Sequence, residues 1–194
     1  MTNIAVFASG TGSNARCLAD YFAHSSCARV RLIVSNKPDA PVLSIARERH
    51  IPTHVIDRIS FYESEQLLTV LNEYKIGFIA LAGFLWLVPP YLVRTYWQRM
   101  VNIHPALLPA YGGKGMYGMR VHEAVKAAGE RETGITIHYV NERYDEGDII
   151  FQARCYISSE DSPEEIARKV QALEHEHYPK VLERLICPKT ELRL

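Results

Sequence analysis

The chain has 194 residues, and its 22 Lys and Arg balance 22 Asp and Glu, so the formal net charge at pH 7 is zero. A neutral chain lacks the positive field that nucleic-acid binding needs and has no attraction for an anionic membrane surface. Hydrophobic residues make up 47% of the chain, which is typical of a globular protein and excludes disordered and fibrous classes. The longest apolar stretch, around 78–90, contains Gly83 and two prolines and is too short to span a bilayer.

Hydrophobic periodicity and turn residues predict alternating strands and helices through the first half of the chain. In chain order, we expect a strand at 3–9, a helix at 15–24, a strand at 30–35, a helix at 41–49, a strand at 53–56, a helix opened by Ser64, a strand at 78–82, a helix at 89–96 and a strand at 100–104. Such alternation is typical of right-handed βαβ units, so this half is predicted to form a parallel sheet.

The second half has a different pattern. A glycine-rich loop at 112–118 and a short helix at 122–128 precede two predicted strands, at 133–140 and 148–157, which could pair as antiparallel neighbours at the sheet edge. Ser162 is a good N-cap for a long final helix, with Pro163 at its first position.

The predicted fold class is therefore α/β, a Rossmann-like open and mostly parallel sheet with helices on both faces and an antiparallel edge. No internal repeat or linker is visible, so residues 1–194 are expected to form a single domain.

The four cysteines, Cys17, Cys27, Cys155 and Cys187, form no Cys-x-x-Cys pair, which argues against a zinc ribbon. Residues 1–9 show neither a basic leader nor a long apolar run, so they do not resemble a signal peptide. We expect a cytoplasmic protein with reduced thiols.

The first candidate site is the segment Ser-Gly-Thr-Gly-Ser-Asn-Ala at 9–15, directly after the first strand. Because glycines allow close backbone approach and a helix N-terminus attracts anions, a phosphate is the natural guest of Gly12, Ser13 and Asn14. The segment also satisfies the Gly-x-Gly-x-x-Ala pattern of dinucleotide binding, but Ser-Asn-Lys at 35–37 stands where an acidic residue is expected. A tight turn that binds nothing is the other alternative.

The second candidate is the pair Asn102 and His104. On a strand, residues two apart face the same side, so both side chains point together while Ile103 points into the core. They lie at the carboxyl end of a parallel strand, where open α/β sheets place their active sites. An amide donor beside an imidazole suits a reaction that develops an oxyanion, although the two side chains could also simply satisfy loop backbone groups.

Two acidic segments are further candidates. Asp145 lies between the last two strands, and a carboxylate beside a histidine stabilises the imidazolium and raises its pKa, but an acidic hairpin loop is the ordinary explanation. Glu-His-Glu-His at 174–177 invites a metal interpretation. Residues two apart on a helix diverge by about 200°, so His175 and His177 do not easily share an ion, and no metal is predicted.

Taken together, these segments are similar to the glycinamide ribonucleotide formyltransferase family of purine biosynthesis. The resemblance runs from about Ile4 to about Leu185 and rests on the order and spacing of individually short motifs. These are Ser-Gly-x-Gly-Ser-Asn at 9–14, Ser-Asn-Lys at 35–37, Leu-Ala-Gly-Phe at 81–84, Asn-Ile-His-Pro at 102–105 with Leu-Leu-Pro at 107–109, Asp145 with Gly147, and Gln171 with Glu174 and His175.

The resemblance implies a formyltransferase fold, 10-formyltetrahydrofolate as co-substrate, and the amine of glycinamide ribonucleotide as formyl acceptor. Asn102 and His104 are then catalytic, Asp145 supports the histidine and keeps it charged, and His138 lies near the active site. The implied ribonucleotide-binding residues are Gly12, Ser13, Asn14, Gln171, Ala172, Leu173 and Glu174. The implied folate-pocket residues are Leu85, Trp86, Leu87, Val88, Asn102, Asn141, Glu142, Arg143, Tyr144 and Asp145.

The chain departs from better-known members of the family in two places. Tyr-Gly-Gly-Lys-Gly-Met-Tyr-Gly at 111–118 replaces a Pro-Gly-containing stretch with an early histidine. An arginine that some members place before the third helix, to meet the folate tail, has no counterpart near Glu63 and Ser64. The family's contacts at these two places are therefore not carried over.

The expected partners are small molecules, glycinamide ribonucleotide and a reduced folate, without nucleic acid or membrane; monomer and homodimer both stay open. Within the wider fold, the alternatives are a formyltetrahydrofolate hydrolase, a methionyl-tRNA formyltransferase and a sugar-nucleotide formyltransferase. The first two usually carry an additional domain, and the third has a different first loop. From other classes, a nicotinamide-dependent oxidoreductase using segment 10–15 and a catalytically dead binding module are the rivals.

Overall fold

The computed structural model describes residues 1–187, in which helices and strands alternate as the sequence predicts. The strands are β1 Thr2–Phe7, β2 Ala28–Ser35, β3 Thr53–Val55, β4 Ile76–Leu81, β5 Met100–His104, β6 Glu132–Tyr139 and β7 Ile149–Tyr156. The α-helices are α1 Ser13–Tyr21, α2 Val42–Glu48, α3 Arg58–Tyr62, α4 Gln66–Glu73, α5 Pro90–Thr95, α6 Met119–Ala127 and α7 Pro163–Ile186. A short 3₁₀ turn, Phe22–His24, continues α1.

All seven strands belong to one sheet with the order β3-β2-β1-β4-β5-β6-β7. The pairs from β3 to β5 are parallel, whereas β6 runs antiparallel to β5 and β7 antiparallel to β6. The predicted mostly parallel sheet with an antiparallel edge is thus confirmed. Among residues 1–187, no helix combines the length and apolarity needed to cross a membrane.

The sheet is covered on both faces because its central strands are apolar on both sides. In β1, Ile4 and Val6 face one core cluster, which includes residues of α1, α2 and α7, while Ala5 and Phe7 face a second cluster with residues of α4 and α5. Strands buried on both faces read as continuous apolar runs, which is why β1 was predictable from its composition.

The predicted helix opened by Ser64 is α4, and a further helix, α3, precedes it. Asp57 caps α3 by accepting a hydrogen bond from the Ser60 N–H at 2.9 Å, and the Ser60 hydroxyl oxygen accepts one from the Asp57 N–H. This capping box gives the chain a helix start that the prediction missed. The predicted helix at 41–49 is α2, with Pro41 as its N-cap residue.

The prediction of reduced thiols is wrong for Cys27 and Cys187, which form a disulfide, while Cys17 and Cys155 are free. Cys27 directly precedes β2 and Cys187 ends α7, with the two Cα atoms 6.0 Å apart. The pairing was not predictable from spacing because the two residues are 160 positions apart and meet through the docking of α7.

The final helix fixes the strands that carry the candidate site. Ser162 caps α7 through a capping box with Glu165, as its sequence predicts. Further along, the fully buried Tyr178 donates its hydroxyl to the carbonyl of Leu81, at the end of β4, at 2.8 Å, and lies 3.4 Å from the carbonyl of Val101 in β5. One buried hydroxyl therefore ties α7 to both strands at the edge where the candidate catalytic residues begin.

We expect Tyr178→Phe to lower the free energy of unfolding by about 1–3 kcal/mol, because the buried Leu81 carbonyl loses its donor without access to water. Tyr156→Phe is the matched control, since Tyr156 is 72% exposed, and it should leave stability unchanged. Chemical denaturation of both variants and the wild type measures the difference. Equal stabilities would show that this hydrogen bond does not hold α7 to the sheet.

Candidate active site

The candidate catalytic side chains meet where β5 lies beside the last residues of β6. Asn102 and His104 lie on the same side of β5, and the antiparallel register sets His138 of β6 directly opposite Asn102. The loop after β6 then brings Asp145 over the pair. Its carboxylate accepts a hydrogen bond from Asn102 Nδ2 at 3.3 Å and lies 3.5 Å from His104 Nδ1 and 3.6 Å from His138 Nε2. The structure thus brings together the predicted catalytic residues.

The imidazole of His104 is almost fully buried and held from two sides. Its Nε2 lies 2.8 Å from the carbonyl oxygen of Tyr111, which only accepts, so Nε2 carries a proton. Burial lowers the pKa of His104 more than the Asp145 charge and the Tyr111 carbonyl raise it, and the nearby His138 lowers it further. The lowered pKa favours the neutral imidazole in the free protein, which is the opposite direction to the expectation that Asp145 keeps this histidine charged.

Asp145 is a buried carboxylate that stays ionised. Burial alone would raise its pKa, but the neighbouring His138 and His104 side chains and the hydrogen bond from the Gly113 N–H at 2.9 Å together lower it below the usual range. The residue has φ 56°, a left-handed backbone conformation that aspartate tolerates better than most residues. In this strained conformation the carboxylate of Asp145 faces the imidazoles of His104 and His138.

Every donor hydrogen of the Asn102 amide is engaged within the protein. His138 donates from Nδ1 to the Tyr139 carbonyl at 2.8 Å, so its Nε2 is free to accept from Asn102 Nδ2 at 3.1 Å, while the second amide hydrogen points to Asp145. A ligand that needs hydrogen bonds from Asn102 must therefore displace one of these internal acceptors.

The glycine-rich first loop follows the carboxyl end of β1, at the same edge of the sheet as this cluster. Gly12 has φ 78°, and a Cβ there would lie 2.6 Å from Val42 Cγ2, so only glycine fits between the loop and α2. At the start of α1, Asn14 Nδ2 donates to Glu174 Oε2 at 2.9 Å, and Gln171 Nε2 donates to Ser13 Oγ at 3.1 Å. These bonds join the predicted phosphate loop to the predicted substrate strip of α7.

Glu174 is a carboxyl group largely removed from solvent. Burial raises its pKa, and the hydrogen bond from Asn14 opposes that increase only in part. The other side-chain atom of Asn14, Oδ1, is buried without a hydrogen-bond partner within residues 1–187. Asn14 Oδ1 is therefore an unused hydrogen-bond acceptor next to the N-terminus of α1.

A cavity of about 780 Å³ connects the first loop with the catalytic cluster. Its walls are the loop 9–14, the turn 82–85, the end of β5 at 102–105, the glycine-rich loop with the start of α6 at 113–120, and Gln171 and Glu174 of α7, together with further residues that include Lys37. This volume is typical of small-molecule sites. Lys37, Lys114 and Arg120 provide positive charge at the wall, which favours an anionic ligand.

A second, much smaller cavity of about 50 Å³ lies on the other side of the catalytic residues. Among its lining residues are those that the resemblance places at the folate pocket: Trp86, Leu87, Val88, Asn102, Asn141, Arg143, Tyr144 and Asp145. Phe84, Asn102, Tyr144 and Asp145 line both cavities. The smaller space holds no more than a few waters, so a fused aromatic ring enters only if its walls separate.

Four of the predicted binding residues lie elsewhere than expected. Leu85 lines the larger cavity, and Glu142 lies outside both, 3.9 Å from Arg94 at the exposed surface. Ala172 and Leu173 line neither cavity, since residues 171 and 174 share one face of α7 and the two between them point away. Leu173 packs against the core instead.

Sequence reasoning missed two features beside these cavities. Helix α3 packs on the predicted folate segment: the Arg58 guanidinium lies 5.3 Å from the centre of the Trp86 ring, and the Tyr62 hydroxyl donates to the Leu87 carbonyl at 3.0 Å. His122 of α6 is 6% exposed and lines the larger cavity. The Asp-x-x-Ser capping signal could have revealed α3, whereas no sequence pattern indicated His122.

The replaced loop at 111–118 contributes backbone groups to the site. The Tyr111 carbonyl accepts a hydrogen bond from His104, and the Gly113 N–H donates one to Asp145. Within the described part of the chain, no group of three or more His, Cys, Asp or Glu side chains is arranged to hold a metal ion.

The class of protein follows from this fold and site. The family profile described as formyl transferase matches residues 2–182, and the chain belongs to the formyl transferase family.

Among its relatives are phosphoribosylglycinamide formyltransferases. The chloroplastic enzyme of Arabidopsis thaliana is 43% identical over 190 residues, which cover 92% of this chain, and this chain spans 63% of that relative. The Bacillus subtilis enzyme is 35% identical over 191 residues, covering 96% of this chain and 95% of the relative. A solved phosphoribosylglycinamide formyltransferase from Bacillus halodurans is 36% identical with a TM-score of 0.87, covering 98% of both chains. The resemblance inferred from the sequence motifs is confirmed.

The buried environment of His104 predicts a titration that NMR can follow. We expect its pKa to lie below the ordinary 6.5, because burial disfavours the imidazolium. In Asp145→Asn the pKa should fall further, since the carboxylate is the largest influence that raises it. A value above 6.5 in the wild type, or a rise in the variant, would contradict the neutral resting state.

Proposed function

We propose that this chain transfers the formyl group of 10-formyltetrahydrofolate to the amine of glycinamide ribonucleotide, a step of purine biosynthesis. One observation carries the proposal: Asn102 and Asp145 lie where two cavities meet, one beside a helix N-terminus and the other lined largely by apolar and aromatic groups. Two substrates that react with each other need such a junction. The names of the relatives support the same reaction.

In this proposal the larger cavity holds the ribonucleotide. Its phosphate binds at Gly12, Ser13 and Asn14, where the N-terminus of α1 supplies a positive dipole end. Gln171 and Glu174 then contact the remainder of the ribonucleotide from α7, on the same wall of the cavity.

The folate occupies the side of the smaller cavity, with its ring against Trp86, Leu87, Val88 and the loop at 141–145. Because that space is too small for the ring, folate binding has to move its walls, which include Trp86 and Tyr144. The formyl group is already activated by its folate nitrogen, so the mechanism assigned here uses no metal.

The reaction begins when the amine attacks the formyl carbon and a tetrahedral intermediate with a negative oxygen forms. Asn102 Nδ2 and the His104 imidazole are the donors for that oxygen, once the ligand replaces their internal acceptors. His104, neutral before the reaction, takes the proton that the attacking nitrogen loses. The imidazolium then lies beside Asp145, and the proton passes to the folate nitrogen as the C–N bond breaks.

We infer that the chain forms one domain, because residues of both halves share one sheet. The N-terminal half supplies the phosphate site, and the C-terminal half supplies most of the folate-binding and catalytic residues. Residues 188–194 lie outside the described part. A cytoplasmic location and a monomeric or homodimeric state stay predictions.

The test is an assay that contains 10-formyltetrahydrofolate with and without glycinamide ribonucleotide. Deformylated folate should appear only when the ribonucleotide is present, in equal amount to the formylated product. Equal deformylation without the ribonucleotide would indicate a hydrolase, and no deformylation in either case would remove the proposal.

We expect His104→Ala and Asp145→Asn to lower kcat by about 10²–10³, because each loses a group that acts in the transition state. Calorimetry should show that ribonucleotide binding persists. His54→Ala is the matched control, since this partly buried histidine lies on β3 and lines neither cavity. Turnover near the wild-type rate in either folded variant would discredit these assignments.

Asn14→Ala tests the phosphate loop separately. The substitution removes a polar side chain at the helix N-terminus, so the KM for the ribonucleotide should rise by about tenfold, with the KM for the folate unchanged. Asn3→Ala is the control, because Asn3 lines neither cavity. Its side chain donates a hydrogen bond to the Tyr74 carbonyl at 2.8 Å. If both variants bind the ribonucleotide as the wild type does, the loop does not recognise it.

A further inference from the structure

The backbone carbonyl of Tyr111 occupies the His104 hydrogen that the proposed mechanism uses. In the free protein this carbonyl oxygen lies 2.8 Å from His104 Nε2 and accepts its hydrogen. The mechanism assigns the same hydrogen to the negative oxygen of the tetrahedral intermediate, and one N–H makes only one short, straight hydrogen bond. The carbonyl is therefore an internal substitute for that oxygen, and the donor becomes available only when the Tyr111 backbone moves.

Tyr111 holds its carbonyl there against the preference of its own backbone. Its φ is 56°, in the left-handed region that residues with a side chain rarely adopt. Such a conformation persists only where the surroundings fix it, and the Tyr111 side chain is fixed at both ends. The side chain packs against the core, and its hydroxyl donates a hydrogen bond to Glu130 Oε1 at 2.7 Å.

Glu130 is a fixed anchor for that hydroxyl. It lies between α6 and β6, and its N–H bonds the Val125 carbonyl of α6 at 3.4 Å. Without the bond to Glu130, Tyr111 loses a contact that opposes relaxation of its backbone, and relaxation turns the carbonyl away from His104. Neither Tyr111 nor Glu130 lines one of the two cavities, so the anchor can be removed without changing a cavity wall.

The larger cavity borders the loop that carries this carbonyl. Residues 113–118 follow Tyr111 closely in the chain and line that cavity together with the start of α6, whereas no residue from 111 to 120 lines the smaller cavity. Lys114 and Arg120 in this wall provide positive charge for an anionic ligand. The ribonucleotide, rather than the folate, is therefore the substrate placed to move the loop.

We propose that Tyr111, anchored by Glu130, makes the protein select the substrate amine over water as the formyl acceptor. With the folate alone, the Tyr111 carbonyl keeps His104 Nε2 engaged, so the negative oxygen lacks this donor and hydrolysis is suppressed. In that hydrolysis, water adds to the formyl carbon, the C–N bond to the folate nitrogen breaks, this nitrogen takes a proton and formate leaves. Ribonucleotide binding moves the loop and frees the donor. The inference rests on the proposed function, and Tyr111 is a positioning residue in it because it acts through His104.

Glu130→Ala tests the inference because it removes the acceptor of the Tyr111 hydroxyl. The rate of deformylation without ribonucleotide should rise by about tenfold, while kcat for formyl transfer stays within about twofold of the wild type. Glu130→Gln should restore most of the wild-type ratio of hydrolysis to transfer, because its amide oxygen still accepts the hydrogen bond. Tyr111→Phe should raise this ratio as Glu130→Ala does, and the double variant should raise it no further.

Glu132→Ala is the matched control, since this glutamate pairs with Arg154 and lines neither cavity, and it should keep the wild-type ratio. Thermal melting checks the folding of each variant. An unchanged rate of hydrolysis in folded Glu130→Ala or Tyr111→Phe would overturn the inference. A parallel fall of hydrolysis and transfer would also overturn it, because the contact would then be purely structural. A wild type without formyl transfer would instead refute the proposed function.

Discussion

The carboxylate of Asp145 is the contact on which the arrangement of the site depends. It receives hydrogen bonds from Asn102 of β5 and from Gly113 of the glycine-rich loop, and it lies within 3.6 Å of a nitrogen on both His104 and His138. The antiparallel pairing of β5 and β6 contributes to this arrangement, because it sets His138, near the end of β6 and shortly before the loop that carries Asp145, directly opposite Asn102.

Burial and interactions with neighbouring polar groups have opposite effects on the pKa values of Asp145 and His104. The carboxylate of Asp145 accepts several hydrogen bonds and has a lowered pKa, whereas burial lowers the pKa of the two imidazoles that line the larger cavity, those of His104 and His122. In the proposed mechanism, the lowered pKa leaves His104 available to accept a proton. The donors of Asn102 and His104 are bound to internal acceptors, so in this mechanism substrate binding requires rearrangement of the Tyr111–Gly113 backbone or of Asp145.

Local chemistry explains what the sequence could and could not reveal. The boundaries of β5 and the shared side of Asn102 and His104 follow from strand periodicity, and the start of α7 follows from its capping residues. The disulfide and the shielded His122 depend on how distant helices dock, which no local pattern records. The family resemblance implies that all residues from Gln171 to Glu174 bind the ribonucleotide, but helical geometry directs only the first and last of them to the cavity.

The most direct test of this account is a crystal structure with glycinamide ribonucleotide and a non-reactive analogue of 10-formyltetrahydrofolate bound together. We expect the analogue's carbonyl oxygen to lie about 2.7–3.1 Å from Asn102 Nδ2, with the ribonucleotide phosphate at the N-terminus of α1 and the walls of the smaller cavity parted around the pterin. A complex in which both ligands bind away from Asn102 and His104, with that cavity still closed, would contradict it.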